Sequence, residues 1–84
     1  MKRIRLSAHA WGHISRRGFS EEEVYETIRT APWEPGRRGR MECRKDFPYG
    51  RDWNGRIYGT KQVRPIFVEE DEEIVVVTVY TYYF

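Results

Sequence analysis

The chain has 84 residues, of which 39% are hydrophobic and 15% aromatic, and its formal net charge at pH 7 is +2. This length predicts one domain over residues 1–84 whose small core would gain stability from a second copy, so a homodimer is one expectation. A single cysteine, Cys43, excludes an internal disulfide framework. Because neither a signal peptide nor a long apolar span is present, we expect a cytoplasmic protein that does not contact the membrane.

Charge is unevenly distributed along the chain. Positive residues concentrate in 2–17 and 37–64, and negative residues concentrate in 21–26 and 69–73. Such segregation predicts a basic surface that contacts a polyanion. Ordinary solvated surface is the alternative, and it explains the acidic clusters better than the basic ones.

The first half of the chain predicts a short strand and two helices. Charged and apolar side chains alternate at the start, as in a short edge strand. Ser7 is then a predicted N-cap for a helix over about residues 8–17, which ends at Gly18. The motif Ser20-Glu21-Glu22-Glu23 is a capping box that begins a second helix, which runs to about Thr30.

The second half predicts an antiparallel meander. We expect a hairpin turn at Asp52-Trp53-Asn54-Gly55, strands over 56–61 and 62–69, and a turn at 70–72. A shorter strand is indicated over 41–45. The predicted fold class is therefore α+β, with two N-terminal helices packed on an antiparallel sheet of three to four strands.

The stretch from Ile74 to Phe84 is the longest uncharged apolar run, and its β-branched and aromatic residues predict a central strand. Successive side chains of a strand point to opposite faces, so the run divides into two sets. The set predicted to face the core is Val75, Val77, Val79, Thr81 and Tyr83. The set predicted to face a site, because it aligns three hydroxyls, is Ile74, Val76, Thr78, Tyr80, Tyr82 and Phe84.

Several short motifs carry a resemblance to a bacterial family. They are His9-Ala10, Arg17-Gly18, Ser20-Glu21-Glu22-Glu23-Val24, Lys61-Gln62-Val63-Arg64 and Val77-Thr78-Val79-Tyr80. With these motifs the chain resembles domain-of-unknown-function family 4258, which is grouped with the barnase, EndoU, colicin and RelE ribonucleases. The resemblance covers nearly the whole chain. It implies a RelE-like fold with helices on one side of a curved antiparallel sheet, an RNA substrate and a toxin role beside a cognate antitoxin.

The resemblance also implies a site for metal-independent RNA cleavage. Attack by the 2′-hydroxyl needs a base, an acid for the leaving oxygen, and cations for the phosphorane charge. The catalytic residues expected on this basis are His9 as acid or base, Arg17 and Lys61 as phosphate ligands, and the hydroxyls of Thr78 and Tyr80. Further RNA contacts are expected from His13, Arg16, Arg44, Arg64 and Tyr82. The family pattern usually has Arg where this chain has His13. No cofactor is expected.

His9 has two alternative roles. Its side chain can cap the start of its own helix, with Ser7 as partner. His9 and His13 are also spaced like a metal-binding pair, for which Cys43, Asp46 or a distant carboxylate would be the third ligand. No glutamate follows His9 as it does in metalloproteases, and we expect no metal site.

Basic residues interleave with aromatic ones between residues 33 and 67. This pattern suits contacts with single-stranded RNA or, alternatively, a small aromatic core beneath outward-pointing arginines. Trp53, in a predicted turn, is expected to contact RNA or a partner. The first functional hypothesis is a ribonuclease-like domain. The alternatives are a non-catalytic domain of the same fold that binds RNA or protein, and a structural domain that dimerises through its edge strands.

Overall fold

The computed structural model describes residues 2–84, which contain one six-stranded mixed sheet. In chain order the elements are β1 Arg3–Leu6, α1 Ala8–Trp11, α2 Ile14–Arg17, α3 Glu21–Thr30, β2 Glu34–Pro35, a 3-10 helix Arg37–Gly39, β3 Met41–Glu42, β4 Lys45–Trp53, β5 Arg56–Glu69 and β6 Glu73–Tyr83. Across the sheet the order is β1-β6-β5-β3-β2, and β4 pairs with β5 beyond the end of β3. β1 runs parallel to β6, and the other strand pairs are antiparallel.

The predicted arrangement of two helices on three to four antiparallel strands is wrong. Strands make up 51% of the described residues and helices 25%, and α3 is the only helix among them with seven or more residues. The fold is therefore that of a small sheet-dominated protein. The helix predicted over residues 8–17 is two four-residue helices instead. The break lies at His13, whose φ of −103° and ψ of 0° are not helical, and Gly12 before it has low helix propensity.

The local start and turn signals are confirmed. Ser7 Oγ accepts a hydrogen bond from the Ala10 amide at 3.2 Å, which caps α1. Ser20 Oγ accepts from the Glu23 amide at 3.2 Å, and the Glu23 carboxylate accepts from the Ser20 amide at 2.9 Å, so the capping box is complete. The turn between β4 and β5 holds Asn54 and Gly55 at positive φ, as a two-residue hairpin requires.

A bulge in β6 changes which side chains face the core. Phe67 of β5 pairs with Val76, but Ile66 pairs with Thr78, so Val77 is an extra residue in β6. Ile74 and Val76 are consequently buried in the core, whereas Val75 and Val77 are not. After the bulge the predicted alternation is correct, since Val79 is in the core. The two predicted faces are thus right for the second half of the strand and exchanged in the first half.

The core lies on one side of the sheet, beneath α3. It is formed by Ile4, Leu6, Ala10, Phe19, Val24, Ile28, Cys43, Val63, Phe67, Ile74, Val76 and Val79. We call this side the covered face. The opposite side, which carries Arg64, Ile66, Thr78, Tyr80 and Tyr82, we call the open face. Tyr80 and Tyr82 are 41% and 43% exposed, so packing in the core does not explain the presence of two large aromatic residues here.

Candidate functional site

The open face contains a polar groove of about 650 Å³. One wall is the loop that joins β2 to β3, and the floor is built from β5 and β6. The lining residues are Pro35, Gly36, Arg37, Arg40, Glu42, Arg64, Ile66, Thr78, Tyr80 and Tyr82. The groove therefore combines several guanidinium groups with two partly exposed phenol rings.

Arg64 is held in place on the floor of this groove. One of its terminal nitrogens, Nη2, donates to both carboxylate oxygens of Glu42, at 3.0 and 2.9 Å. The other, Nη1, donates to the Tyr82 hydroxyl at 3.1 Å. These hydrogen bonds, that to Glu42 first, raise the pKa of Arg64 above its usual value. The site thus presents a fixed cation whose charge is partly compensated by a carboxylate.

Arg17 reaches the open face from the edge of β6 and contacts two lining residues of the groove, Thr78 and Tyr80. Its backbone carbonyl accepts hydrogen bonds from Thr81 Oγ1 and from the Tyr83 hydroxyl, on the covered face. Its guanidinium donates to Thr78 Oγ1 at 3.2 Å and to the Val79 carbonyl at 2.8 Å, on the other side. The side chain therefore passes around the strand edge. It ends 5.0 Å from the centre of the Tyr80 ring.

Three of the five residues predicted to be catalytic are thereby brought together, namely Arg17, Thr78 and Tyr80. Tyr80 lies between two cations, because the Arg64 guanidinium is 5.9 Å from its ring centre. Tyr82 and Arg64, both predicted to contact RNA, line the same groove.

Lys61, another predicted catalytic residue, lies on the covered face instead. It is 5% exposed, and its ammonium contacts the Glu23 carboxylate at 2.8 Å and the Gly18 carbonyl at 2.9 Å. Lys61 therefore joins the start of α3 and the end of α2 to the sheet. It does not line the groove that contains Tyr80.

The two histidines are adjacent to each other and do not line the groove. His9 is exposed on α1, and its ring centre is 4.5 Å from that of His13. Within residues 2–84 the buried Nδ1 atom of His13 has no hydrogen-bond partner. Burial first, and then the charge of Arg17, lowers the pKa of His13, which favours its neutral form. The described part of the chain contains no cluster of three or more side chains suited to a metal ion.

The remaining predicted contacts are dispersed. Arg16 is exposed on α2 and is not a lining residue of the groove. Arg44 lies in a smaller neighbouring cavity of about 280 Å³, which shares Glu42 and Arg64 with the groove. Trp53, for which we predict a contact with RNA or a partner, is partly buried, and its ring stacks on Tyr83 at 4.6 Å.

Sequence reasoning missed Glu42 as a site residue. Its role depends on the pairing of β3 with β5, which places Glu42 opposite Ile66 and within reach of Arg64. No local pattern around a two-residue strand signals that register. Arg37 and Arg40 were noted only as part of the basic segment, and they line the groove because the loop after β2 turns back over the sheet.

No helix in the described residues is both long and apolar enough to cross a membrane. In comparisons with known proteins, no family model, no curated protein and no solved structure matches this chain.

Proposed function

We propose that the open face binds single-stranded RNA. The observation that carries this proposal is the groove itself, in which exposed tyrosine rings lie among the guanidinium groups of Arg37, Arg40 and Arg64. Arg17 does not line the groove but lies beside Tyr80. Arginine forks match the geometry of phosphate oxygens, and aromatic side chains stack on bases that are not paired. The two features together suit a single strand better than a duplex, whose bases are already stacked on one another.

The loop arginines support a polyanionic ligand. Among residues 2–84, Arg64 is paired with Glu42, whereas Arg37 and Arg40 make no ion pair. A phosphate that enters the groove therefore finds cations whose charge no neighbouring carboxylate has neutralised. Binding should weaken as salt is added, because each phosphate contact releases condensed counterions.

The binding role is better supported than cleavage. A general acid or base must come within hydrogen-bond reach of the proton that it transfers. No histidine of residues 2–84 lines the groove, and Lys61 is buried beneath α3. The toxin role, the cognate antitoxin, the homodimer and the cytoplasmic location stay predictions.

The binding proposal is tested by fluorescence anisotropy with a labelled oligouridine of about twelve nucleotides. We compare the double variant Arg37→Ala/Arg40→Ala with Arg3→Ala/Arg29→Ala, which removes two exposed arginines outside the groove. The groove variant should make the negative slope of log affinity against log salt shallower by about 1.4, the value for two lost phosphate contacts on a single strand. Equal slopes for the two double variants would contradict the proposal.

RNA cleavage is a second candidate function, favoured by the hydrogen bond from Arg17 to Thr78 beside the Tyr80 ring. There a guanidinium and the Thr78 hydroxyl meet beside the Tyr80 ring, and a cation in this position can stabilise the charge of a phosphorane. Its test is incubation of labelled RNA with the protein in the presence of EDTA. Products that end in a 2′,3′-cyclic phosphate, and that Tyr80→Phe no longer forms, would establish cleavage. Intact RNA under conditions of saturated binding would exclude it.

A further inference from the structure

Three aromatic side chains follow one another on the open face. Beyond the Val77 bulge, the alternation of β6 puts Tyr80 and Tyr82 on this face. Pairing with β5 continues to Phe84, whose amide donates to the Thr60 carbonyl at 3.0 Å and whose carbonyl accepts from the Thr60 amide at 2.8 Å. Phe84 therefore shares the face of the two tyrosines. The three side chains are 41%, 43% and 59% exposed.

These rings differ from the other aromatic residues near the same end of the sheet. Tyr83 points to the covered face and has the rings of Tyr49, Trp53 and Tyr58 around it, with the closest ring centre at 4.6 Å. In contrast, no aromatic ring of residues 2–84 stacks on Tyr80, Tyr82 or Phe84. Rings that are exposed together and have no aromatic partner in the described residues mark a surface that contacts something else.

The spacing of the three rings suits an extended nucleic acid strand. Residues two apart on a strand are separated by about 6.8 Å along it. This is twice the roughly 3.4 Å rise between stacked bases. One base therefore fits beside each ring, provided that the strand is unstacked and runs along β6.

Cations flank the row on both sides. Arg17 lies at the outer edge of β6 next to Tyr80, and Arg64 of β5 contacts the Tyr82 hydroxyl. A strand whose bases stack on the rings would carry its phosphates past one or both of these guanidinium groups. The row of rings thus suits the bases of a single strand, and the flanking cations suit its phosphates.

We infer that Tyr80, Tyr82 and Phe84 form one row of rings on which successive bases of the single strand stack. This inference rests on the proposed function. It adds the path of the strand, which runs along β6, and a binding residue, Phe84, that is not among the lining residues of the groove. Because every base has a flat π face, stacking on this row would be tolerant of sequence.

Two substitutions of Phe84 test the inference by anisotropy with the same labelled oligouridine. Phe84→Leu keeps an apolar side chain but removes the ring, and Phe84→Trp enlarges the ring. Loss of one stacked base should weaken binding by Phe84→Leu about fivefold or more. Phe84→Trp should bind at least as tightly as wild type and show additional quenching of tryptophan fluorescence on RNA addition. Trp11→Ala, which removes an exposed ring on α1, should leave the affinity unchanged.

The outcomes separate the two proposals. Equal affinity of Phe84→Leu and wild type, or equal loss in Phe84→Leu and Phe84→Trp, would overturn the stacking row while salt-dependent binding through Arg37 and Arg40 still supports the groove. Absence of salt-dependent RNA binding by the wild-type protein would overturn both. Circular dichroism of each variant shows that the comparison is made between folded proteins.

Discussion

Lys61 and Arg64 lie three residues apart on β5, and each forms an ion pair with a glutamate at nearly the same distance. Lys61 contacts Glu23 at 2.8 Å, and Arg64 contacts Glu42 at 2.9 Å. The two residues nevertheless face opposite sides of the sheet, because their separation is an odd number of residues. The Lys61 side chain is 6% exposed and that of Arg64 is 31% exposed.

The comparison shows how one strand serves two purposes. On the covered face, the Lys61 ammonium is largely shielded from water, so its stability there depends on close contact with the Glu23 carboxylate. Lys61 also donates to the carbonyl that ends α2, and Glu23 caps the start of α3. On the open face, water still reaches the Arg64–Glu42 pair, so the cation can exchange its carboxylate for another anion. The covered face therefore maintains the fold, and the open face is available to a ligand.

The largest expected effect comes from breaking the buried pair. Lys61→Met leaves the Glu23 carboxylate and the Gly18 carbonyl without the cation that they share, whose side chain is only 6% exposed. We expect the free energy of unfolding to fall by about 3 kcal/mol. Urea denaturation monitored by tryptophan fluorescence measures this change.

Arg64→Met is the matched control for the other ion pair. Because that pair is partly hydrated, its loss should cost about 1 kcal/mol or less. An equal cost for the two substitutions would mean that burial does not distinguish the two faces.

A smaller effect is expected from Gly18, which ends α2 with a φ of +75°. A Cβ added there would lie 2.6 Å from the Trp53 ring and would also collide with the Tyr83 hydroxyl. Gly18→Ala should destabilise the protein by about 2 kcal/mol or more, since the strain of a left-handed residue alone costs roughly 1–2 kcal/mol. Thermal or urea unfolding provides the measurement.

Gly50→Ala isolates the backbone part of this cost. Gly50 has a similar φ of +65°, but nothing lies within 4 Å of the Cβ position. If Gly18→Ala lowers the free energy of unfolding no more than Gly50→Ala does, the close packing of Trp53 and Tyr83 is not the reason for a glycine at position 18.

Glu42→Gln tests whether Arg64 on the open face can bind an anion other than its own carboxylate partner. Removal of this negative charge leaves Arg64 free to contact a phosphate, so RNA affinity should rise several-fold, by about 1 kcal/mol for one additional charged contact. Anisotropy at fixed low salt measures the change. Unchanged affinity would indicate that the RNA backbone does not approach Arg64.

The smallest effect concerns the pH dependence of stability. Burial first, and then the neighbouring Tyr49, raises the pKa of Tyr83 to about 12. The folded protein therefore retains this proton where the unfolded chain loses it, so stability should fall as the pH rises from 10 towards 12. Tyr83→Phe should show a shallower fall in urea midpoints over this range. Identical pH profiles would contradict the assignment.

Local signals in the sequence identified several elements of the fold. The caps at Ser7 and Ser20 and the hairpin at Asn54-Gly55 depend on side-chain and backbone preferences within four residues, and all three are correct. The parallel pairing of β1 with β6 was missed because it joins residues about seventy positions apart. Nothing in the alternating pattern of residues 3–6 indicates the direction of the partner strand.

The candidate site was likewise predictable only where local patterns determine it. Strand alternation correctly grouped Thr78, Tyr80 and Tyr82, but the bulge at Val77 was not visible, because β-branched residues surround it on both sides. Strand alternation predicts that Lys61 and Arg64 lie on opposite faces of the sheet. It does not predict which of the two faces α3 covers. The contribution of Glu42 depends on pairing between β3 and β5.

An NMR titration of the labelled protein with a short oligouridine shows which face of the sheet binds RNA. If the open face binds RNA, the amide shifts of residues 36–42, of Arg64 and of Tyr80–Phe84 should change, while those of α3 should stay constant. Shift changes centred on α3, or spread evenly over both faces of the sheet, would contradict the claim that the open face is the RNA-binding surface.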